Sequence, residues 1–140
     1  MPFQKILVAI DGSPGGQKAL ETAIELAKLT HGELHALAVE GKLPAYAATI
    51  GEVDEVKREK DQFFETIARL ARDQAQEEGI DLHIEVLPGH AAELIVRHAS
   101  AEDFDLVVVG YKGHFLEDFL LGSTADRVAH HATCPVMIVK

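Results

Sequence analysis

The sequence predicts a Rossmann-like α/β fold, with an open, mainly parallel five-stranded sheet covered by helices on both faces. Strand-length apolar runs alternate along the chain with segments of helical periodicity. The apolar runs are nearly continuous, which is typical of parallel strands buried on both sides. No linker and no repeat interrupts this alternation, so residues 1–140 are predicted to form a single domain.

The first half of the chain contains two predicted strands, 5–10 (KILVAI) and 33–40 (ELHALAVE). A helix over 15–30 lies between them, and Gly32 is expected to cap its C-terminus. The segment 41–51 contains two glycines and a proline and is predicted to be a loop. The helix prediction depends on apolar residues at helical spacing, namely Leu20, Ala23, Ile24 and Ala27.

A long amphipathic helix is predicted over 53–78, ending at Gly79. It precedes a strand over 81–87 and a Pro88-Gly89 turn. The charged face of this helix is expected to be solvated. Its buried stripe is predicted to consist of Val53, Val56, Phe63, Ile67, Leu70 and Ala71.

The last third of the chain repeats the same alternation. It predicts a helix over 90–100, a strand over 105–110, a helix over 122–132 and a strand over 135–139. Pro135 lies at the start of the last strand, where a missing N–H group is tolerated.

Charge and composition argue against several classes of function and location. The net charge of −10 argues against nucleic acid binding, which depends on Lys and Arg to neutralise phosphates. No apolar run reaches the length of a membrane helix, and the N-terminus lacks the pattern of a signal peptide. Cys134 is the sole cysteine, so an internal disulfide is excluded and the cytoplasm is the expected compartment.

The stretch GYKGHFLEDFLLGS, residues 110–123, has the layout of a phosphate-binding loop. Gly110 and Gly113 follow a buried strand, and Gly122-Ser123 precedes a helix. Glycine lets a backbone approach a ligand, and helix N-termini present free N–H groups to anions. The stretch matches neither GxGxxG nor GxxxxGK[ST]. In open parallel sheets, ligands lie beyond the carboxyl ends of strands, where the strand order reverses.

Asp11 ends the first predicted strand and has two open interpretations, a turn cap alone or a cap that also contacts a ligand. A haloacid-dehalogenase-like phosphatase is excluded, because Ala9 occupies the position of the nucleophilic aspartate in D-x-D-G-[ST]. Ser123 and Thr124 have the same two interpretations at a helix start, with a bound phosphate as the ligand.

Other chemistry has weaker support in the sequence. His130, His131 and Cys134 resemble metal ligands in spacing, but adjacent helical histidines point about 100° apart and no fourth ligand is evident. Lys112 and His114 are close enough to the glycines to reach a phosphate. No nucleophile and base pair can be assembled, so hydrolysis is expected to be absent or limited to a weak ATPase activity.

Taken in order, three segments resemble the universal stress protein family over the whole chain. The first is the strand ending in Asp11-Gly12-Ser13, and the second is Gly110-x-x-Gly113 with the later Gly122-Ser123. The third is the tail STADRVAHHATCPVMIV, a helix followed by a Cys-Pro strand. The resemblance implies the strand order 3-2-1-4-5, with its reversal between the first and fourth strands.

The resemblance also implies the ATP-binding branch of that family, marked by Gly-x2-Gly-x9-Gly-Ser/Thr. It implies that Asp11, flanked by Ile10 and Gly12, lies near the adenosine, and that Val39 meets adenine through its backbone. The expected ligand is ATP, with Mg²⁺ as an optional companion. The residues expected around the ribose and phosphates are Gly110, Gly113, His114, Gly122, Ser123 and Thr124.

The sequence departs from this motif at one place, because eight residues rather than nine separate Gly113 from Gly122. Two functions therefore stay open. One is a homodimeric, ATP-binding stress-response module. The other is a protein of the same fold that binds no nucleotide and acts through dimerisation and protein partners. In both, the apolar strand 135–139 is expected to pair with its twin, as the resemblance also implies.

Overall fold

The computed structural model describes residues 3–40, 50–111 and 122–140, with the backbone alone for 50–53. The nine elements follow the predicted order, and all bounds except the start of α2 agree with the prediction within one residue. They are β1 (Lys5–Ile10), α1 (Pro14–Thr30), β2 (Glu33–Glu40), α2 (Ile50–Glu77), β3 (Leu82–Pro88), α3 (Ala91–Ala101), β4 (Leu106–Gly110), α4 (Ser123–His131) and β5 (Val136–Val139).

The five strands form one sheet in the order β3-β2-β1-β4-β5, and every neighbouring pair is parallel. The predicted topology is therefore confirmed. Ile6, Leu7 and Val8 in the central strand are fully buried, as expected for a strand covered on both faces. The order reverses between β1 and β4, which creates a crevice at the carboxyl ends of these two strands.

Helices cover both faces of the sheet, as predicted. One face carries α1 and α2, whose buried residues include Leu20, Ile24 and Phe64. The other face carries α3 and α4, represented by Ile95 and Val128. Because side chains alternate along each strand, one apolar strand supplies both cores.

The predicted buried stripe of α2 is correct in part. Ala71 is buried, Ile67 packs against the core and Val56 is half-buried, whereas the side chain of Val53 lies outside the described residues. The side chains of Phe63 and Leu70 are 50% and 59% exposed, although both were expected in the core. The residues that α2 buries are Phe64, Ala68, Ala71 and Ala75. Three of these are alanines, which let the helix lie close to the sheet but contribute little to a hydrophobic pattern. Among the described helices, none is long and apolar enough to cross a membrane.

The C-terminus of α1 is capped by His31 together with the predicted Gly32, whose N–H donates to the carbonyl of Ala27 at 3.1 Å. His31, with φ 56°, adopts the left-handed conformation, and its N–H donates to the carbonyl of Ala27. Gly32 is required for a different reason, because a Cβ atom there would lie 2.6 Å from the carbonyl oxygen of Phe3. Gly32 therefore takes part in the cap, and the close approach of Phe3 explains why this residue is glycine.

The turn after β3 is placed slightly later than predicted. Pro88 is the last residue of β3, and Gly89 follows it with φ 141°. The N–H of Gly89 donates to the carbonyl of Glu40 at 2.9 Å, which ties the ends of β2 and β3 together. At the end of α2, Gly79 has φ 77°, consistent with its predicted role as a stop.

Candidate functional site

A cleft of about 240 Å³ lies at the reversal point of the sheet. That volume far exceeds the space of a single water and is slightly below the range of pockets that enclose drug-sized molecules. It therefore suits a small organic group with part of the ligand outside. The residues that line it are Ala9, Ile10, Asp11, Ser13, Gly16, Leu37, Val39, Ala91, Ile95, Val109, Gly110, Gly122, Ser123, Thr124 and Ala125.

Asp11 organises the turn from β1 into α1. Its Oδ1 atom accepts hydrogen bonds from the N–H and the hydroxyl of Ser13, at 2.9 and 2.5 Å. The Ser13 hydroxyl in turn accepts from the N–H of Gly16 at 3.1 Å and caps α1. Asp11 therefore does have a structural role as a turn residue. Asp11 also lines the cleft, and its printed hydrogen bonds within the turn use Oδ1.

Gly110 ends β4 where α1 begins. A Cβ atom at this position would lie 2.6 Å from the carbonyl oxygen of Gly15 and 2.7 Å from its carbonyl carbon. Real Cβ atoms do not approach backbone this closely, so the fold itself requires glycine here. The close approach also brings the first turn of α1 to the side of the cleft.

Val39 presents its backbone carbonyl to the cleft. Backbone groups of a strand alternate between its two neighbours. The N–H of Glu33 donates towards β1, at the carbonyl of Gln4, and the carbonyl of Glu40 accepts from Gly89 on the β3 side. Val39 and Glu33 are separated by an even number of positions, so the backbone N–H and carbonyl of Val39 also point towards β1. Since β1 ends at Ile10, opposite the residue before Val39, the carbonyl of Val39 faces the space beyond β1.

The N-terminus of α4 forms another wall of the cleft. Gly122 is its N-cap residue, and no side-chain hydrogen bond caps the helix. The prediction that Ser123 or Thr124 acts as the cap is therefore wrong, because both lie inside the first turn. The N–H of Gly122 donates to the carbonyl of Tyr111 at 2.8 Å, and the N–H of Asp126 donates to Gly122 at 2.9 Å.

The uncapped helix start leaves donors for a ligand. An α-helix has four N–H groups at its start without intrahelical partners. Ser123 and Thr124, the first two residues of α4, line the cleft and carry a hydroxyl each. Such an arrangement suits an anionic group, since N–H donors and the positive end of the helix dipole converge on one point.

The described part of the cleft has one ionisable side chain, that of Asp11. The buried Ser13 hydroxyl beside it is 2% exposed and both donates and accepts within the turn, so it is not available as a nucleophile. This lining is suited to binding rather than to acid–base chemistry.

The residues weighed for metal binding lie outside the cleft. His130 contacts Asp126 at 3.3 Å on the surface of α4. Desolvation by burial raises the pKa of the Cys134 thiol above its ordinary value. Over residues 3–40, 50–111 and 122–140, no group of three or more His, Cys, Asp or Glu side chains is arranged to hold a metal ion.

The structure brings most of the predicted site residues together in this cleft. Gly113 and His114, and also Lys112, lie outside the described residues. Gly12 faces a neighbouring groove and not the cleft. The residues that do line the cleft are Ile10, Asp11, Val39, Gly110, Gly122, Ser123 and Thr124.

Gly12 lies against α2. With φ 84°, it has a backbone conformation that suits glycine, and an added Cβ would lie 2.9 Å from the Ile67 side chain and 3.0 Å from that of Phe63. The side chains of Phe63 and Ile67 on α2 therefore lie against the turn that holds Asp11. This explains why Phe63 contributes to a groove although it is absent from the core.

Sequence reasoning missed the apolar floor of the cleft, which consists of Leu37, Val109, Ala91 and Ile95. Leu37 and Val109 are indistinguishable in the sequence from other buried strand residues. Ala91 and Ile95 lie on the first turns of α3, directly after the Gly89 turn. Their position after the third strand was the one signal that could have placed them near the crevice.

Comparisons with known proteins concern the family and the fold. The model of the universal stress protein family matches residues 2–140. The universal stress protein YxiE of Bacillus subtilis is 33% identical over 147 aligned residues, which cover 99% of each chain.

Three solved structures share the fold over the full chain. The universal stress protein UspA of Lactobacillus plantarum aligns with a TM-score of 0.87 at 24% identity, covering 100% of this chain and 99% of that one. A universal stress protein in complex with cAMP aligns at 0.77 and 26% identity, with coverages of 100% and 99%. One from Archaeoglobus fulgidus in complex with dAMP aligns at 0.66 and 24% identity, covering 100% of both chains.

Proposed function

The chain belongs to the universal stress protein family, and from this premise we propose that it binds an adenine nucleotide, ATP, as a homodimeric stress-response regulatory module. The proposal includes Mg²⁺ as an optional companion of the nucleotide and a cytoplasmic location. It does not include substantial catalysis, and at most a weak ATPase activity is expected.

The cleft at the reversal point is the observation on which the proposal depends. An apolar floor, a backbone carbonyl at Val39, the carboxylate of Asp11 and an uncapped helix start meet there. Each of these groups is chemically complementary to one part of a nucleotide. The flat base suits the apolar floor, the ribose hydroxyls suit a carboxylate, and the phosphate suits N–H donors.

Each group has a proposed contact. The carbonyl of Val39 accepts a hydrogen bond from the exocyclic amino group of adenine. The Oδ2 atom of Asp11 accepts from the ribose. Ser123 and Thr124 donate to a phosphate through their N–H and hydroxyl groups. The cAMP complex of a 26% identical relative supports an adenine nucleotide as the ligand class.

The first experiment is the nucleotide content of the purified protein. We would denature it, identify released nucleotides by anion exchange, and titrate the stripped protein with ATP by calorimetry. Co-purified adenine nucleotide or micromolar binding is the expected result. Protein that is empty and shows no heat with ATP, with or without Mg²⁺, would contradict the proposal.

A matched pair of variants tests the position of the site. Gly122→Val places a branched side chain at the buried start of α4, where the phosphate is proposed to bind. Ala129→Val introduces the same residue at an exposed position of the same helix. Binding should be lost in Gly122→Val and kept in Ala129→Val, while circular dichroism reports the same fold for both. Equal binding by the two variants would place the site elsewhere.

The homodimer is proposed to form through β5, the last strand in the sheet order. The carbonyls of Pro135 and Val139 accept hydrogen bonds from the β4 side, at 3.0 and 2.7 Å. By the alternation of backbone groups, Val136 and Ile138 point their N–H and carbonyl groups to the outer edge. A second copy of β5 offers the complementary set of groups.

Proline at position 138 tests this interface without changing the β4 ladder. Proline is tolerated on an edge strand when its N–H would face outwards. Ile138→Pro should therefore give a folded monomer in light scattering after size exclusion, whereas Ile138→Val should remain a dimer. A dimeric Ile138→Pro protein would exclude β5 backbone pairing as the cause of dimerisation.

A second candidate function is an interaction protein of the same fold that binds no nucleotide. The eight residues between Gly113 and Gly122, one fewer than the motif of the ATP-binding branch, favour it. The exposed side chains of Phe63 and Leu70 on α2 offer apolar surface for a partner. Absent nucleotide together with a stable dimer would favour this function over the first.

A further inference from the structure

We propose that Ile67, with Phe63 beside it on α2, is a positioning residue for the nucleotide: it supports the turn that carries Asp11 and so determines the affinity for the ribose. This inference rests on the proposed function, because it concerns the same cleft. None of the described residues of α2 is among those that line the cleft. The helix therefore acts on the ligand through the turn.

The turn after β1 separates the cleft from a second groove, of about 260 Å³, between α1 and α2. Ile10, Ser13 and Gly16 line both the cleft and the groove. The two remaining residues of the turn divide between them, because Asp11 lines the cleft and Gly12 lines the groove. A displacement of the turn therefore changes the cleft and the groove together.

Two side chains of α2 occupy the space directly over Gly12. The φ angle of Gly12 is 84°, and a Cβ atom added there would lie 2.9 Å from Cδ1 of Ile67 and 3.5 Å from its Cγ1. It would lie 3.0 Å from Cζ of Phe63. These distances leave no room for a side chain at position 12, so the two α2 residues lie directly against the backbone of the turn.

The helix that carries Ile67 is itself anchored. Phe64 and Ala71, three residues before and four residues after Ile67, belong to the buried core, and Ile67 packs against that core. Further along, Nε2 of Gln17 on α1 donates to Oε1 of Gln74 on α2 at 2.7 Å. Because a packed interior transmits a displacement instead of absorbing it, α2 holds Ile67 in a fixed position against the turn.

The hydrogen bonds of the turn fix its shape. Oδ1 of Asp11 accepts from the N–H and the hydroxyl of Ser13, and that hydroxyl accepts from the N–H of Gly16. These bonds join the residues of the turn to one another and to the start of α1. Where the turn lies relative to α2 depends instead on the packing of Ile67 against Gly12.

A truncated side chain at position 67 should let the turn move into the groove. Ile67→Ala removes three carbon atoms beside Gly12, and the surroundings of such a void relax partly into it. Complete loss of a hydrogen bond to a charged group weakens binding by about 10- to 150-fold. A displaced Asp11 carboxylate loses part of that interaction, so we expect Ile67→Ala to weaken ATP binding by roughly 3- to 10-fold.

The nucleotide 2′,3′-dideoxy-ATP distinguishes positioning from a general loss of structure. It keeps the base and the phosphates but lacks the ribose hydroxyls that Asp11 is proposed to bind. Ile67→Ala should therefore leave its affinity unchanged, and the ratio of the two Kd values should fall towards one. A variant that is merely less folded would weaken both nucleotides by the same factor, which leaves the ratio constant.

Calorimetry with ATP and 2′,3′-dideoxy-ATP, both with Mg²⁺, tests the inference on the wild type and three variants. Ile67→Ala removes the contact, and Ile67→Leu keeps the apolar volume and should restore the wild-type ratio. The matched control is Leu70→Ala, which removes three carbon atoms from the same helix and groove, but none of the atoms nearest to Gly12. Its ratio should equal that of the wild type, and urea denaturation verifies that each variant is folded.

Coupling between the turn and α2 is reciprocal, so it has a second readout. Bound ATP should hold the turn against α2 and slow amide hydrogen exchange over residues 63–70. Bound 2′,3′-dideoxy-ATP should slow this exchange less, because it does not hold the Asp11 carboxylate. Equal slowing by the two nucleotides would count against positioning through the ribose.

The outcomes separate this inference from the proposed function. If Ile67→Ala keeps the wild-type ratio, or if Leu70→Ala changes the ratio as much, the positioning role is overturned and nucleotide binding stands. The same holds if the wild type binds ATP and 2′,3′-dideoxy-ATP equally well. If the wild type binds neither nucleotide, the proposed function fails and this inference fails with it.

Discussion

Replacing Gly110 by alanine should destabilise the protein even when no nucleotide is present. The added Cβ would lie 2.6 Å from the carbonyl oxygen of Gly15, 2.7 Å from its carbonyl carbon and 3.1 Å from its Cα atom. All three are backbone atoms in the first turn of α1, so no side chain can rotate to relieve the contact. Either α1 or the end of β4 must move, and overpacking of this kind costs about 1–3 kcal/mol.

That cost is measurable by urea denaturation and by thermal unfolding in nucleotide-free buffer. For a domain of this size, about 1 kcal/mol corresponds to roughly 3 °C in Tm, so Gly110→Ala should melt roughly 3–9 °C lower. The control is Ser100→Ala, which introduces the same residue at an exposed position of α3. If Gly110→Ala unfolds like the wild type and only loses nucleotide binding, the packing explanation is refuted and Gly110 is a ligand contact alone.

Three further predictions concern the turn, the surface and the thiol. Ser13→Ala removes the cap that accepts from Gly16, and should lower the free energy of unfolding by about 1 kcal/mol in urea titrations; unchanged stability would contradict that role. The hydrogen bond to His35 is the main cause that lowers the pKa of the Glu33 carboxyl in the folded protein. The pair therefore stabilises the fold at pH values above the pKa of this carboxyl in the unfolded chain. The stabilisation is lost as the pH falls through the folded pKa. The urea midpoints of the wild type and Glu33→Gln should therefore converge from about pH 6 to about pH 3, and a constant difference would count against it. Because burial raises the pKa of the Cys134 thiol, its reaction with a thiol reagent at neutral pH should be slow and should accelerate in urea; equal rates with and without urea would argue otherwise.

The strands were predictable because their signal is local. A parallel strand buried on both faces must be apolar at nearly every position. Five of the six residues of β1 are apolar, as are the first four of the five residues of β4. The strand order came from the family resemblance, and it is confirmed. Asp11 and Gly110 follow from the same reasoning, since they end the two strands between which the order reverses.

The buried face of α2 was only partly predictable from its apolar residues. Phe63 and Phe64 are adjacent, and helical periodicity allows either to face the core. The choice depends on how closely the helix approaches the sheet, which Ala68, Ala71 and Ala75 permit. Alanine adds little to a hydrophobic pattern. The alanines that α2 buries therefore gave a weaker periodic signal in the sequence than its exposed apolar residues did.

The candidate site, like the fold, was determined partly by the sequence and partly by the tertiary structure. The sequence by itself determined the element order, the buried strands and the chain segments that meet at the reversal, because these depend on periodicity and turn residues close together in the chain. Only the tertiary structure decided which role each residue has there. It showed that Gly110 packs against Gly15, that Gly12 faces α2, and that Gly122 begins α4 without a side-chain cap. The roles of Gly110 and Gly12 arise from contacts between segments far apart in sequence, and no local pattern records such contacts.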